Sequence, residues 1–152
     1  MDDISMHNLI YLSSASYLYS NDELAAILTT SRLNNTRLGI TGLLLYNEGN
    51  ILQILEGEEN VLRTLYKTIS LDHRHRGVIK VIDASIRERS FGDWSMGFKQ
   101  TSNEDWSKLN GYLHLNDKQD LKHLVSAASV PIVTMIKSFT DVNRNMLNSV
   151  TF

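Results

Sequence analysis

The sequence predicts an α+β fold of the ferredoxin-like sandwich type, a mixed five-stranded sheet with two helices on one face, plus carboxy-terminal helices. Three observations predict it. Segments of strand and helix periodicity follow one another in the order β-α-β-β-α-β-β within residues 1–100. The second and third predicted strands are joined by Asn47–Asn50, a length that is common in hairpins. Two helices cannot cover both faces of a sheet, so further helices should follow.

The first half of the pattern runs from a strand through a helix to a second strand. Asn8–Ser14 is a short, mainly apolar run typical of a strand. Ser20 and Glu23 have the spacing of a capping box, so a helix should begin there, and its apolar periodicity continues to about Leu33. A polar turn follows, and residues 40–46 predict the next strand.

The second half of the pattern contains the remaining three strands and the second helix. Residues 50–57 are apolar on both faces of a strand, which is typical of a strand that is covered on both sides. Two glutamates then open a helix near its positive end, and its apolar stripe extends from Val61 to Ile69. Residues 78–84 and 94–98 predict the fourth and fifth strands.

The rest of the chain has the signals of helices. Ser102, Asn116 and Pro131 stand where three helices should begin. We therefore divide the chain into a sheet domain, residues 1–100, and a helical extension, residues 101–152. The last helix carries an apolar stripe that must lie on the open face of the sheet or meet another chain, and we slightly favour the second placement. The stripe consists of Met135, Phe139, Val142 and Met146.

The composition argues against several classes of function. The net charge is −2 over 152 residues with acids and bases interspersed, so no field would attract nucleic acid or an anionic membrane. The absence of cysteine excludes disulfides, zinc-thiolate sites and a cysteine nucleophile. No apolar run approaches the roughly 20 residues of a membrane span, and the acidic amino terminus lacks the apolar core of a signal peptide. We therefore expect a soluble, cytoplasmic protein.

The five histidines do not predict a metal site. His73 and His75 are two residues apart, which would put them on different sides of a helix. His7, His114 and His123 have no carboxylate at the spacing of a metal-binding motif. The sequence therefore predicts no bound metal ion.

Gln53 is the polar exception in an apolar strand. Its neighbours Ile51, Leu52, Ile54 and Leu55 are apolar on both faces, so the amide should be buried. Burial without a partner would cost about 1–3 kcal/mol. The amide either is satisfied inside the core by backbone or water, or binds a ligand through its two donors and its acceptor oxygen. Gln53 alone does not decide between these alternatives.

Four other polar or aromatic residues stand in apolar surroundings. Tyr11 lies on the first predicted strand, Asn35 in the turn after the first helix, and Trp94 and Met96 at the start of the last strand. Each has an ordinary structural explanation: a core tyrosine with its hydroxyl satisfied, a left-handed residue closing a helix, or simple packing. Taken one at a time, these residues do not predict a function.

Five motifs contain these residues and follow one another along the chain: Leu9–Ser14, Asn34-Asn35 with Gly39–Leu44, Leu52–Gly57, Asp72–His75 and Phe91–Met96. Taken together, they resemble in order and spacing the motifs of the BLUF family, the blue-light sensors that use FAD. The resemblance covers about residues 8–100, and one departure is Asn8, where members often carry arginine. It implies that residues 1–100 form a flavin-binding BLUF domain with the sandwich fold and that residues 101–152 serve packing, oligomer formation or output.

The resemblance also implies a cofactor and its site. The flavin should be FAD, with FMN and riboflavin as alternatives, bound without a covalent link between the two helices. Ile27 and Ile69 should sandwich the ring, and Asn35 should bind its carbonyl edge. The residues that the resemblance assigns to the flavin are Ile27, Ser31, Asn34, Asn35, Gln53, Ile69, Asp72, Arg74 and His75.

The resemblance implies a light-driven switch rather than an enzyme. In the family, light moves an electron and a proton from the tyrosine, here Tyr11, to the flavin, and after their return the glutamine, here Gln53, is left rotated or tautomerised. Trp94 and Met96 should relay this change to the carboxy-terminal helices. The expected partners are a second copy of the chain and a separate signalling protein, with no direct contact to nucleic acid or membrane.

Two other functions stay open on the sequence alone. The first is a flavin-binding or small-molecule-binding enzyme on the same sandwich, without light sensing, although the chain offers no acid–base pair for turnover. The second is a structural interaction module in which Tyr11 and Gln53 bond only to each other. The colour of the purified protein and its response to light separate these alternatives.

Overall fold

The computed structural model describes residues 5–92, 96–100, 132, 134–136 and 138–139. Up to residue 100 these residues form strands and helices in the predicted order β-α-β-β-α-β-β. The elements are β1 (Met6–Ala15), α1 (Asn21–Leu38), β2 (Thr41–Asn47), β3 (Asn50–Glu58), α2 (Glu59–Ser70), β4 (His75–Ser85) and β5 (Gly97–Gln100).

The strands form one mixed sheet in the order β4-β1-β3-β2-β5. β1 is antiparallel to both of its neighbours, β3 and β4, while β2 is antiparallel to β3 and parallel to β5. Leu24 and Leu28 of α1 and Leu62 of α2 are buried in one cluster with residues of a single sheet face. The prediction of an α+β, ferredoxin-like sandwich with two helices on one face is therefore confirmed.

Two local sequence signals are confirmed at the ends of elements. The Ser20 hydroxyl accepts a hydrogen bond from the N–H of Glu23, and the Glu23 carboxylate accepts one from the N–H of Ser20, which completes the capping box of α1. The hairpin between β2 and β3 turns through Glu48 and Gly49, whose φ angles are 45° and 93°. Positive φ at both loop residues matches the twist of the adjoining strands.

α1 ends about one turn later than predicted. It continues to Leu38 instead of stopping near Leu33. Gly39 adopts the left-handed conformation, with φ of 68°, and its N–H donates to the carbonyl of Asn35, which closes the helix. An asparagine pair indicates a turn, but glycine takes the left-handed conformation more readily, so the helix extends to the glycine. The prediction of a turn at Asn34 and Asn35 was therefore wrong, because both residues are helical.

Long-range pairing sets two boundaries that a local pattern does not contain. β4 begins at His75, three residues before the predicted start, because its first residue pairs with Ala15 at the end of β1. β5 comprises Gly97–Gln100 and pairs in parallel with β2. The predicted start of this strand, Trp94, lies outside the described residues.

The face of the sheet opposite α1 and α2 is covered by residues from the carboxy-terminal region. Ile132 and Ile136 are helical and buried against this face, and Met135 and Phe139 pack against the same cluster. For Met135 and Phe139 the structure therefore favours the sheet over a second chain, contrary to our preference. The other two residues of the predicted stripe, and the predicted helix starts, lie outside the described residues. None of the helices in the described ranges combines the length and the apolar content that a membrane span requires.

Candidate functional site

A cleft opens between α1, α2 and the helix-covered face of the sheet. Its lining combines residues of both helices, the central strands and the connection between α2 and β4. All nine residues that the resemblance assigns to a flavin line this one cleft, although they are distributed over nearly fifty positions of the chain. They are Ile27, Ser31, Asn34, Asn35, Gln53, Ile69, Asp72, Arg74 and His75.

Tyr11 and Gln53 meet at the floor of the cleft. They lie directly opposite each other on the antiparallel strands β1 and β3, so both side chains point to the helix-covered face. The Tyr11 hydroxyl donates a hydrogen bond to Gln53 Oε1, and both side chains are buried. Burial, with smaller contributions from Tyr19, Tyr66 and Asp72, raises the pKa of Tyr11 far above its ordinary value. The Tyr11 phenol therefore keeps its proton at any physiological pH.

The N–H₂ group of the Gln53 side chain contacts Met96. Gln53 Nε2 donates to Met96 Sδ over 3.7 Å, and Met96 is 1% exposed. A thioether sulfur is a weak acceptor, so this bond is weaker than the one from Tyr11. Of the two predicted relay residues, the structure therefore brings Met96 to the amide, while Trp94 lies outside the described residues.

The polar residues of α1 reach the cleft because of their spacing. Ile27, Ser31 and Asn35 are four residues apart, so one side of the helix presents an aliphatic, a hydroxyl and an amide side chain in succession. Asn35 is 3% exposed and stands in the last turn of α1, not in the turn that the sequence predicted. Asn34 lies beside it on the exposed rim. The longer helix is thus what turns the Asn35 side chain toward the cleft.

A charged pair and a histidine border the cleft between α2 and β4. Arg74 holds Asp72 through its side chain, with Nη2 and Oδ2 2.6 Å apart, and its backbone N–H donates to Asp72 Oδ1 over 2.9 Å. This pairing lowers the pKa of Asp72 to about 2, so the carboxylate is charged at neutral pH. His75 Nε2 lies 2.6 Å from the carbonyl of Ile69 and Nδ1 lies 2.9 Å from Ser13 Oγ. Because a carbonyl only accepts, Nε2 carries a proton, and the ring joins β1, α2 and β4.

Several lining residues were not identified from the sequence. Tyr19 and Tyr46 stack with their ring centroids 5.3 Å apart, and the Tyr19 N–H donates to the Tyr46 hydroxyl over 3.1 Å. Burial raises the pKa of Tyr19 to about 12. Thr30 and Thr68 line the cleft as well. Thr68 could have been found from the sequence, because it is the neighbour of Ile69 on α2. Tyr19 gave no such signal, because it lies in the irregular connection between β1 and α1, where no periodicity applies.

The chemistry of this lining fits a flavin. An isoalloxazine ring is flat, apolar on both faces and polar along one edge. Ile27 and Ile69 offer aliphatic surface from two different helices, and Asn35 and Gln53 offer amides with both donors and acceptors. Such a combination of apolar walls and a few convergent polar groups is typical of a cofactor site.

Comparison with known proteins identifies the family. The family model described as "Sensors of blue-light using FAD" matches residues 6–97 of the 152 residues. Subunit beta of the photoactivated adenylate cyclase of Euglena longa is 38% identical over 95 residues, which are 62% of this chain and 11% of that protein. The blue light- and temperature-regulated antirepressor BluF of Escherichia coli K12 is 32% identical over 62 residues, or 41% of this chain and 15% of that protein.

Solved structures give the same assignment. The dark-state structure of the BLUF protein BlrB has a TM-score of 0.62 and 30% identity, covering 81% of this chain and 94% of that one. The photo-activated state of BlsA has a TM-score of 0.60 and 29% identity, covering 80% and 94%. The curated relatives named above are much longer, and the chain matches only 11% and 15% of their lengths. With its fold and the matched family model, this chain belongs to the BLUF family of flavin-dependent blue-light sensors.

Proposed function

We propose that the chain senses blue light through a flavin bound without a covalent link in the cleft, and that Tyr11, Gln53 and Met96 form the switch. The observation that carries this proposal is the buried Gln53 amide, which accepts from the Tyr11 hydroxyl and donates to Met96 Sδ. Such an amide, with one strong and one weak partner, has room for a second arrangement. FAD is the expected flavin, and FMN and riboflavin are the alternatives.

The switching step follows from the state of Tyr11. A bound flavin would supply, under blue light, an acceptor for one electron and one proton. Because burial keeps the Tyr11 phenol protonated, an electron that leaves it is followed by its proton. The hydroxyl points at Gln53 Oε1, so the proton moves along this hydrogen bond. When both particles have returned, the Gln53 amide is left rotated or in its tautomeric form.

A single hydrogen bond contributes about 0.5–1.5 kcal/mol net to stability, so a change in it can bias only an element that has two positions of similar energy. We propose the Met96 side chain as this element, since the N–H to sulfur contact that joins it to Gln53 is weak. The next residue, Gly97, begins β5, the edge strand that pairs with β2. We propose that the signal passes from Gln53 to Met96 and along β5 to residues 101–152, with Trp94 as a second relay residue.

The proposed output is a separate cytoplasmic signalling protein, and the sensor itself is not an enzyme. The names of the matched relatives assign adenylate cyclase and antirepressor activity to those much longer proteins. We propose that the part of each relative that matches this chain is its light sensor. We further propose that the chain forms a homo-oligomer, with residues 101–152 taking part in packing, oligomer formation or output.

Absorption spectroscopy tests this function. We expect the purified chain to be yellow, to release free flavin on denaturation, and to show a small red shift under blue light that reverses in darkness. Chromatography of the released pigment identifies the flavin. A colourless protein that does not take up added FAD would contradict the proposal, and a yellow protein without a reversible shift would favour the enzyme alternative.

A further inference from the structure

Arg32 of α1 contacts the chain at the residue where the proposed signal leaves the cleft. Its Nε donates to the backbone carbonyl of Met96 over 3.0 Å. Arg32 is adjacent to Ser31, which lines the cleft, so α1 meets the cofactor site and the Met96 backbone with neighbouring residues. The guanidinium is half-buried, and hydrogen bonds from a charged donor to a carbonyl are about twice as strong as neutral ones.

Met96 is therefore held at two points. Gln53 Nε2 reaches its sulfur over 3.7 Å, and Arg32 reaches its carbonyl over 3.0 Å. The carbonyl belongs to the peptide that joins Met96 to Gly97, the first residue of β5. The bond from the guanidinium is the stronger of the two, so Arg32 sets where the Met96 backbone lies, and the sulfur then falls within reach of the amide.

We propose that Arg32 is a positioning residue of the light switch, which holds the Met96 backbone so that Met96 Sδ stays in reach of Gln53. This inference rests on the proposed function. Arg32 acts on the resting arrangement, in which Gln53 donates to the sulfur, and leaves the bond between Tyr11 and Gln53 intact. Without Arg32 the resting arrangement loses stability relative to the switched one. Met96 must approach Gln53 again for the resting arrangement to form, so the transition state of recovery loses the same support and the return in darkness is slower.

The decisive variant is Arg32→Met, which keeps most of the side-chain length and removes every donor. We expect flavin content and the appearance of the red shift to be retained, and dark recovery to slow by about tenfold. Arg32→Lys restores a charged donor and should recover most of the rate. The matched control is Arg37→Met, since Arg37 is exposed on the same helix, and its recovery should equal that of the unmodified chain.

A double-mutant cycle distinguishes positioning from a general effect on structure. Met96→Leu preserves the volume but removes the sulfur that Arg32 would position. In this background Arg32→Met should change dark recovery less than twofold. Unchanged or faster recovery in Arg32→Met alone, or a full tenfold effect without the sulfur, would overturn the inference. Loss of the red shift in the unmodified chain would instead contradict the proposed function, so the two failures are distinguishable.

Discussion

Strand β3 carries two buried polar side chains that differ in the number and strength of their hydrogen bonds. Gln53 is 7% exposed and Glu56 is 0% exposed, and their separation by three residues puts them on opposite faces of the sheet. The Glu56 carboxylate accepts from the N–H groups of Ser90 and Phe91, over 2.6 and 2.9 Å, and from the Thr41 hydroxyl over 3.1 Å. Glu56 is thus held by three donors.

Arg89 extends the bonding around Glu56 into a network. Its Nη1 donates to Thr41 Oγ1 over 2.9 Å and to the Glu56 carbonyl over 3.2 Å, and its Nη2 donates to the carbonyl of Gly39 over 2.7 Å. We call Glu56, Thr41, Arg89 and the Ser90–Phe91 backbone the Glu56 clamp. The clamp ties the chain after β4 to the ends of α1, β2 and β3.

The difference in hydrogen bonding indicates that the Gln53 side chain can turn more easily than the Glu56 side chain. In the part of the chain that the structure describes, the Gln53 side chain bonds to one hydroxyl and one thioether sulfur, and the second of these is weak. Turning Gln53 disturbs little else, whereas turning Glu56 would leave several buried donors without acceptors. The clamp therefore fixes Phe91, whereas Met96, five residues further along, is joined to Gln53 only by a weak contact. Three of the four predictions below test this difference, and the remaining one concerns the border of the cleft.

The largest effect on stability is expected from the clamp carboxylate. Glu56→Gln keeps the shape but turns an N–H₂ group toward buried N–H donors, so the free energy of unfolding should fall by about 3 kcal/mol. Urea denaturation of the two proteins measures the difference. The control is Glu88→Gln, an exposed residue of the same connection, which should change stability by less than about 0.5 kcal/mol. Equal stability of the two variants would remove the basis for calling this region a clamp.

A smaller effect is expected at the outer part of the clamp. Arg89→Met removes the donors to Thr41 and Gly39 but leaves Glu56 with its three hydrogen bonds. The half-buried position of Arg89 leads us to expect a loss of about 1–2 kcal/mol in urea denaturation. Arg87→Met, at an exposed position of the same connection, serves as the control. If Arg89→Met destabilises more than Glu56→Gln, Arg89 and not the carboxylate is the centre of the network.

Part of this comparison could be predicted from the sequence. Gln53 is conspicuous because an amide interrupts an apolar strand, and the capping box at Ser20 lies within four residues of chain. Glu56 ends the same apolar run and gives no such signal, since its donors come from Ser90 and Phe91, more than thirty residues later. Long-range bonds of this kind leave no local pattern in the sequence.

The same reason explains the other differences between sequence and structure. α1 ends later than predicted because Gly39 closes it. This glycine is a local signal, but the asparagine pair before it indicated an earlier turn. The contact of Arg32 with Met96 and the early start of β4 at His75 depend on pairing between distant segments. The grouping of the cleft residues could be expected only from the family resemblance, because neither periodicity nor composition joins α1 to the connection after α2.

A modest, pH-dependent effect is expected at the border of the cleft. Arg74 lowers the pKa of Asp72 from 3.8 to about 2, so the pair stabilises the folded state above pH 4 and loses this contribution as the pH falls toward 2. Because the pair is partly exposed, the contribution should be below about 1 kcal/mol. Urea denaturation at several pH values measures it against Arg74→Met. A loss of equal size in Arg74→Met over this pH range would show that other carboxylates cause it.

The largest effect on the light response, with only a limited effect on stability, is expected at Gln53 and Tyr11. Gln53→Leu and Tyr11→Phe preserve most of the side-chain volume, so each should change the free energy of unfolding by less than about 1.5 kcal/mol and retain the flavin. The measurement that tests the account most directly is the light-minus-dark absorption spectrum of these variants beside the unmodified chain. The account predicts a reversible red shift in the unmodified chain and none in either variant. A normal shift in Tyr11→Phe, with flavin bound, would contradict it.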